Sequence, residues 1–281
     1  MRAPQPDLRI VAAQVGAALR RQTAKARTDY HAFVHFCLRD EKGRPVRQGV
    51  IHRVWRAHVL ACWAAGVHPA IVAPFGHGKT VQCVVGLAAW EVGLDPSIRI
   101  KVVGNTDEKA RERVTAISNL LVSPAYQRTF PGVRPVDPGS IRPRPKWTEG
   151  AILVGRDSGA IDPTVAAHGI LASGIGGRAD FLLFDDVVDR KNALDEPKLR
   201  DKVKGDFDDV WMSRLVPGGR VLYIATPWHK ADLTHDLQDR PGWCVLRMPI
   251  ADDLSCIEME VYNMPPNYPL ERLETRVGRA A

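Results

Sequence analysis

A short apolar run followed by a glycine-rich turn constrains this chain more than any other feature of its sequence. The run covers residues 68–73, the turn contains Gly76 and ends in Gly78-Lys79-Thr80, and residues 81–90 are small and apolar. This order predicts a strand, a phosphate-binding loop and a helix. Glycine lets backbone N–H groups close around phosphate oxygens, and the N-terminus of the helix adds positive potential.

The same segment predicts ligands for a magnesium triphosphate. Lys79 can bridge the β and γ phosphates, and the hydroxyl of Thr80 can bind Mg²⁺. The full pattern asks for a glycine six residues before the lysine, where this chain has Ala73. An ordinary β-turn-α connection is therefore an alternative that this segment leaves open. The residues predicted to surround the phosphates are Pro74, Phe75, Gly76, His77, Gly78, Lys79 and Thr80.

The composition restricts the classes of protein that remain. With 281 residues, 45% of them hydrophobic, the chain can bury the core of one large α/β domain with appendages. Its five cysteines are odd in number and lack a Cys-x-x-Cys pair, which argues against a disulfide framework and a zinc ribbon. We therefore expect a reducing, cytoplasmic compartment. The sequence shows no charged-then-apolar leader and no apolar stretch of membrane-spanning length, so we expect a soluble protein without a membrane partner.

The charge balance favours a polyanionic partner. The formal net charge is +7 and the isoelectric point is about 9.3. Nucleic acid is the natural candidate, although solubility alone explains such a charge equally well.

Residues 1–47 contain two amphipathic segments with many arginines, and we interpret them as an N-terminal helical subdomain. A further helix is predicted at about residues 50–65. Gln48 and His52 lie at its start, upstream of the phosphate loop, and are candidates to read the edge of an adenine base. Ordinary polar residues at a helix start are the alternative for both.

A second candidate for chemistry is the acidic pair Asp185-Asp186, which ends the apolar run of residues 181–184. Four apolar residues in a row are typical of a strand buried on both faces, and ligands bind at the carboxyl ends of such strands. Asp185 is expected to hold hydrated Mg²⁺, and Asp186 to orient and deprotonate an attacking water. A strand end followed by a helix cap explains the same residues.

A third apolar strand, residues 220–225, ends at Thr226. In nucleotide motors an added strand lies between the phosphate-loop strand and the acidic strand, and a polar residue at its end senses the γ-phosphate. Thr226 has the position for this role. His229 lies close by, but no cysteine or histidine follows it at zinc-ligand spacing, so a zinc site at His229 is not expected.

With these motifs in order, the chain resembles the ATPase part of bacteriophage terminase large subunits, the motors that package double-stranded DNA into procapsids. The resemblance covers about residues 48–249. Its strongest part joins the turn before Arg178-Ala179-Asp180, the acidic pair Asp185-Asp186, and Thr226-Pro227-Trp228-His229. The resemblance implies a three-layer P-loop NTPase of the RecA-like, additional-strand class, with a mainly parallel sheet. It also implies ATP and Mg²⁺ as cofactors.

The resemblance further implies partners and a place in the cell. The partners are double-stranded DNA, a small terminase subunit and further copies of the chain in a ring, a pentamer in the family, on a portal. The place is the host cytoplasm, with transient association with the procapsid.

Two positions depart from the family pattern. The family carries arginine where this chain has Phe75 and Pro227. An arginine that stabilises the transition state must then come from elsewhere, and a neighbouring subunit is the expected source. Arg178 is the catalytic candidate, together with arginines of the preceding region: Arg128, Arg134, Arg142, Arg144 and Arg156.

The predicted domain division follows from the same resemblance. Residues 48–250 form the ATPase core, and residues 251–281 resemble a linker toward a nuclease domain, for which too little chain follows. Two other functions stay open: a RecA-like helicase-type remodeller, and a nucleotide-gated DNA-binding or assembly module with little turnover. A metabolite kinase has no recognisable acceptor site in this sequence.

Overall fold

The computed structural model of the chain describes residues 8–134, 147–249 and 259–278. Predictions for Arg142 and Arg144 lie outside these residues. The helices are α1 (Leu8–Thr28), α2 (Tyr30–Cys37), α3 (Val50–Ala64), α4 (Leu87–Leu94), α5 (Asp107–Leu121), α6 (Pro124–Thr129), α7 (Pro197–Asp206), α8 (Leu233–Asp239) and α9 (Leu270–Gly278). The strands are β1 (His68–Val72), β2 (Ile100–Gly104), β3 (Trp147–Thr148), β4 (Ala151–Ile152), β5 (Val165–Gly169), β6 (Ala179–Asp185), β7 (Leu215–Ala225), β8 (Trp243–Arg247) and β9 (Glu260–Tyr262).

All nine strands form one sheet, in the order β3-β4-β5-β2-β6-β7-β1-β8-β9. The six strands from β5 to β8 in this order run parallel to one another, and the antiparallel pairs found among the described residues lie toward the two edges. Strand β7 pairs with β6 on one side and with β1 on the other. The added strand therefore lies between the phosphate-loop strand and the acidic strand, as predicted.

Helices cover both faces of this sheet because its central strands are apolar on both sides. In β6, Phe181 and Leu183 join the core beneath α3, α4 and α5, whereas Leu182 and Phe184 join the core beneath α7 and α8. All four are fully buried. Such a continuous apolar run is what a parallel strand between two helical layers requires. The predicted three-layer, mainly parallel α/β fold is confirmed.

The N-terminal helices pack onto the first of these layers. Asp29 caps α2 by accepting the backbone N–H of Ala32 at 2.9 Å, and Phe33 is fully buried in the same core as the helix after the phosphate loop. At the other end of the chain, β9 pairs with β8 and Leu273 of α9 is buried in that core. The division proposed at residues 47 and 250 stays a prediction.

The helix that follows the phosphate loop differs from its prediction in geometry. Residues Thr80–Gly86 form π-helical turns before α4 continues the helix. Such turns widen the helix and occur often at functional sites. Within the described residues, no helix combines the length and apolar character needed to span a bilayer.

Candidate functional site

The predicted phosphate loop leaves β1 and turns back on itself at two glycines. Gly76 has φ = 83° and Gly78 has φ = 75°, a left-handed conformation that favours glycine. A side chain at Gly76 would meet nothing within 4 Å, so the backbone there borders open space. Ala73 is not among the left-handed residues. Its position needs no glycine, which explains how the loop forms without the missing one.

Lys79 points back across this loop. Its Nζ donates to the carbonyl oxygens of Ala73 and Pro74, the latter at 2.8 Å, and to Oγ1 of Thr226 at 3.2 Å. Burial lowers the pKa of Lys79, while the charges of Asp186 and Asp185 oppose that shift. A buried ammonium group whose hydrogen-bond acceptors are all neutral oxygens favours a nearby anion.

Thr80 and Asp185 meet at the same edge of the sheet. The Thr80 hydroxyl donates to Oδ1 of Asp185 at 3.0 Å, although the two residues are 105 positions apart. The Asp185 side chain is only 1% exposed. A hydroxyl and a carboxylate in contact are the oxygen ligands that Mg²⁺ prefers. The donor set therefore fits the metal that the motif implies.

Asp186 turns away from its neighbour. Its φ is 45°, a left-handed conformation that is costly for most residues other than glycine and is found often at functional sites. Its Oδ1 accepts the backbone N–H of Thr226 at 2.8 Å. The two acidic side chains thus make different contacts. Asp185 contacts Thr80, and Asp186 contacts the residue that follows β7.

Sequence reasoning missed Arg113. This residue lies on α5, and its Nε donates to Oδ2 of Asp185 at 2.7 Å. Burial raises the pKa of Asp185, and the charge and hydrogen bond of Arg113 act against that rise. The available signal was weak: Arg113 is on the helix after β2, and β2 is the strand beside β6.

Gln48 and His52 both lie beside the phosphate loop. His52 accepts the backbone N–H of Gly49 at Nδ1, 2.9 Å away, so its Nε2 carries the proton and donates to the carbonyl of His77 at 2.9 Å. Gln48 donates from Nε2 to Oε1 of Gln82 at 2.7 Å. Gln82, two residues after Thr80, is a pocket residue that the motifs did not indicate.

A partly open pocket lies next to these side chains. Its lining combines aromatic and aliphatic side chains with a few polar groups, a composition that is common in sites for small organic ligands. At the loop itself, the buried Nε2 of His77 has no hydrogen-bond partner among the described residues. The lining residues are Tyr30, Gln48, His52, Trp55, Arg56, Val59, Gln82, Cys83, Leu87 and Leu222.

The structure does not bring Arg178 to this site within one chain. Arg178 immediately precedes β6, whereas Asp185 ends it, so about seven strand residues, or roughly 20 Å, separate them. Its backbone N–H donates to Oδ2 of Asp162 at 3.0 Å, on the side of the sheet where the parallel strands begin. Phe75 and Pro227, the two positions without the family arginine, remain at the phosphate edge, and Phe75 is 83% exposed.

The segment after Thr226 is held by a buried aspartate. Asp232 is fully buried and caps α8, accepting the backbone N–H of His235 at 3.0 Å and that of His229 at 2.9 Å. The His229 ring contacts a guanidinium nitrogen of Arg200 at 2.8 Å. His229 therefore belongs to the framework of this loop.

A separate cluster joins His58, Cys62 and Cys244, whose ligand atoms lie within 4.8 Å of one another. Spacing in the sequence did not reveal it, because Cys244 comes from β8 and the other two from α3. Both ring nitrogens of His58 already have partners: the carbonyl of Ala70 at 3.1 Å and the hydroxyl of Tyr268 at 2.6 Å. We therefore interpret this group as a hydrogen-bonded part of the core.

The fold is that of a P-loop NTPase of the three-layer α/β class. The phosphate loop follows one central strand, the acidic pair follows another, and the added strand lies between them.

Comparisons with known proteins find similarity to phage terminases. The chain is 23% identical to a terminase large subunit of Enterobacteria phage T3 over an alignment 185 residues long, which covers 62% of this chain and 28% of that protein. It resembles the crystal structure of the HK97 bacteriophage large terminase with a TM-score of 0.52 and 14% identity, over 76% of this chain and 40% of that one. No protein-family profile matches the chain.

The sequence match supports a terminase large subunit and the structural match supports the fold, so the resemblance inferred from the motifs is confirmed. The chain spans less than a third of the T3 protein and two fifths of the HK97 protein.

Proposed function

We propose that the chain is the ATP-hydrolysing motor of a terminase large subunit and that it moves double-stranded DNA into procapsids. The observation that carries the proposal is the meeting of three distant stretches at one edge of the sheet. Lys79 lies within hydrogen-bond distance of Thr226, Thr80 of Asp185, and Asp186 of the Thr226 backbone.

The proposed mechanism assigns each of these side chains a task. A bound ATP with Mg²⁺ supplies the phosphoryl group for hydrolysis. Lys79 and the N–H groups of the loop hold the phosphates, while Thr80 and Asp185 hold the metal. Asp186 accepts a proton from the attacking water at Oδ2, because its Oδ1 is taken by the Thr226 N–H.

The end of β7 then transmits the outcome of hydrolysis. The Thr226 hydroxyl contacts Lys79, and the backbone N–H of Thr226 contacts Asp186, so a change at the γ-phosphate alters both contacts. Asp232 ties the following residues to α8. This path connects the site to α8, which lies with α7 on one face of the sheet.

We assign the pocket beside the loop to the base of the nucleotide. Gln82 and His52 approach the position of a side chain at Gly78 with their nitrogens at 3.5 Å and 3.8 Å, so the pocket adjoins the loop directly. The amide Nε2 of Gln82 can donate to the edge of adenine, whereas both ring nitrogens of His52 are hydrogen-bonded to the loop and to Gly49, so His52 positions the loop beside the base. Gln48 acts through Gln82, to which it is hydrogen-bonded.

DNA contact, in this proposal, is made to phosphates and tolerates any sequence. The net charge of +7 supports it. The same proposal includes a ring of copies on a portal, a small terminase subunit as partner, and action in the host cytoplasm. Arg178, remote from the site of its own chain, would act on the site of a neighbouring copy.

The test is ATP binding and hydrolysis by the whole chain, with and without duplex DNA. We expect Mg²⁺-dependent hydrolysis that DNA stimulates. Lys79→Ala should weaken nucleotide binding at least about tenfold, and Asp186→Asn should keep binding while turnover falls about 100-fold or more. Lys198→Ala and Asp195→Asn, at exposed positions, are the matched controls. A wild-type chain that ignores ATP would refute the proposal.

One observation favours a second function, a nucleotide-gated binding or assembly module. Phe75 and Pro227 provide no guanidinium at the phosphate edge, and Arg178 lies at the opposite edge. This second function replaces the first if the wild-type chain binds ATP and duplex DNA but hydrolyses ATP no faster than the Asp186→Asn variant.

A further inference from the structure

The carboxylate of Asp185 has two oxygens with different partners. Oδ1 accepts the hydroxyl of Thr80 at 3.0 Å, and Oδ2 accepts Nε of Arg113 at 2.7 Å. One oxygen thus faces the phosphate loop and the other faces α5. The two contacts together fix the plane of the carboxylate.

Arg113 is itself held in place. Its Nη1 donates to Oε2 of Glu112 at 2.9 Å, and its side chain is only 23% exposed. The next residue, Val114, and Ile117 one turn later are fully buried and anchor α5 on the sheet. The guanidinium therefore has a fixed base and a defined direction toward Asp185.

The depth of Asp185 makes this contact consequential. A carboxylate whose side chain is 1% exposed has little water to orient it or to balance its charge, so the protein groups around it decide both. In metal sites, the groups that hydrogen-bond to a ligating carboxylate commonly change metal affinity by about 10- to 100-fold.

We propose that Arg113 is a positioning residue for the metal carboxylate: it holds Oδ2 of Asp185 so that Oδ1 stays directed toward Thr80, and it thereby strengthens binding of the magnesium-nucleotide complex. This inference rests on the function proposed above. Arg113 acts through Asp185 and touches neither the phosphates nor the metal.

Another role for the same contact predicts the opposite result. If the guanidinium merely occupies the place that the metal would take, Arg113 competes with Mg²⁺, and its removal strengthens metal binding. A purely structural role predicts a third result, an equal loss of nucleotide binding with and without metal. Measurement of the metal requirement separates the three.

The experiment titrates Mg²⁺ into the chain with a fluorescent, non-hydrolysable ATP analogue, after a baseline in EDTA. For Arg113→Gln we expect an increase of about tenfold or more in the Mg²⁺ concentration at half-maximal binding, with the EDTA baseline changed less than about twofold. Arg113→Lys keeps the charge but loses the planar fork, so its shift should be intermediate. Arg111→Gln removes the same charge from an exposed position of α5 and should behave as wild type.

An unchanged or lower Mg²⁺ requirement in Arg113→Gln would overturn the inference, and so would equal weakening in EDTA and in Mg²⁺. If Arg113→Gln does not fold, Arg113→Lys decides, because a wild-type Mg²⁺ requirement in that variant refutes the positioning role. Failure of the wild-type chain to bind the analogue is a different outcome, which counts against the proposed function.

Discussion

Replacing Asp232 by alanine removes the side chain that organises the segment after Thr226. Asp232 is fully buried, and its two oxygens accept backbone N–H groups of His229 at 2.9 Å, of Trp228 at 3.3 Å and of His235 at 3.0 Å. Alanine has no acceptor for any of these groups. The seven-residue helix α8 loses its cap in the same step.

The loss of free energy of unfolding follows from these contacts. Loss of an N-cap costs about 1 kcal/mol. The short bond from His229 to a charged oxygen contributes about 1.5 kcal/mol, and the long bond from Trp228 adds little. We expect a total of about 2–3 kcal/mol, partly offset because a buried charge is removed as well. At about 2 °C for each kcal/mol in a chain of this size, the melting temperature should fall by about 4–6 °C.

Urea unfolding followed by circular dichroism measures the change, together with a thermal melt of the same samples. Asp232→Asn keeps one acceptor oxygen and should lose about half as much stability as Asp232→Ala. Asp201→Ala, at an exposed position of α7, is the control and should melt as wild type. A melting temperature of Asp232→Ala within about 1 °C of wild type would refute the role given to this carboxylate.

Three further predictions concern the core. Gly93→Ala places a Cβ against the ring of Phe130, so urea unfolding should show a loss of about 1–3 kcal/mol although alanine favours helix. Glu91→Gln removes the charge that pairs with Arg220 at 2.6 Å, and the free energy of unfolding should fall by about 1–3 kcal/mol. Because Glu91 is buried, added salt should not lower the unfolding free energy of wild type by the same amount. His58 has its pKa lowered by burial to about 3, below the unfolded value of about 6.5, so it stabilises the fold above pH 6.5 and this contribution is lost as pH falls toward 3. Unfolding at pH 7.5 and pH 5 should show about 2 kcal/mol less pH-dependent loss in His58→Gln than in wild type; equal loss in both would contradict the assignment.

Much of the fold was predictable because parallel strands carry a plain signal. A run such as Phe181 to Phe184, apolar at every position, requires cover on both faces, and the structure provides a helical layer on each. The place of β7 between β1 and β6 was predicted by analogy with related motors, and the sheet order confirms it. The π-helical turns from Thr80 to Gly86 were not predictable, since they depend on how the helix packs.

The site residues also divide into those that the sequence indicated and those that only the packing of the helices reveals. Residues at the carboxyl ends of neighbouring parallel strands must lie near one another, which is why Thr226 and the acidic pair were indicated before the structure. Arg113 and Gln82 were missed because a long side chain on a helix reaches the site only through the packing of that helix. Arg178 was predicted to act from a neighbouring subunit, and this stays a prediction; within its own chain, seven residues of extended strand separate it from Asp185 by about 20 Å.

A structure of the chain with Mg²⁺ and a non-hydrolysable ATP analogue would show whether the phosphate loop and the acidic pair bind one nucleotide. We expect one triphosphate around the turn at Gly76 and Gly78, with Lys79 on the phosphates and the metal beside Thr80 and Asp185. We also expect the base in the pocket next to Gln82. A nucleotide bound elsewhere, or phosphates that leave Lys79 and Asp185 without contact, would contradict the proposed function.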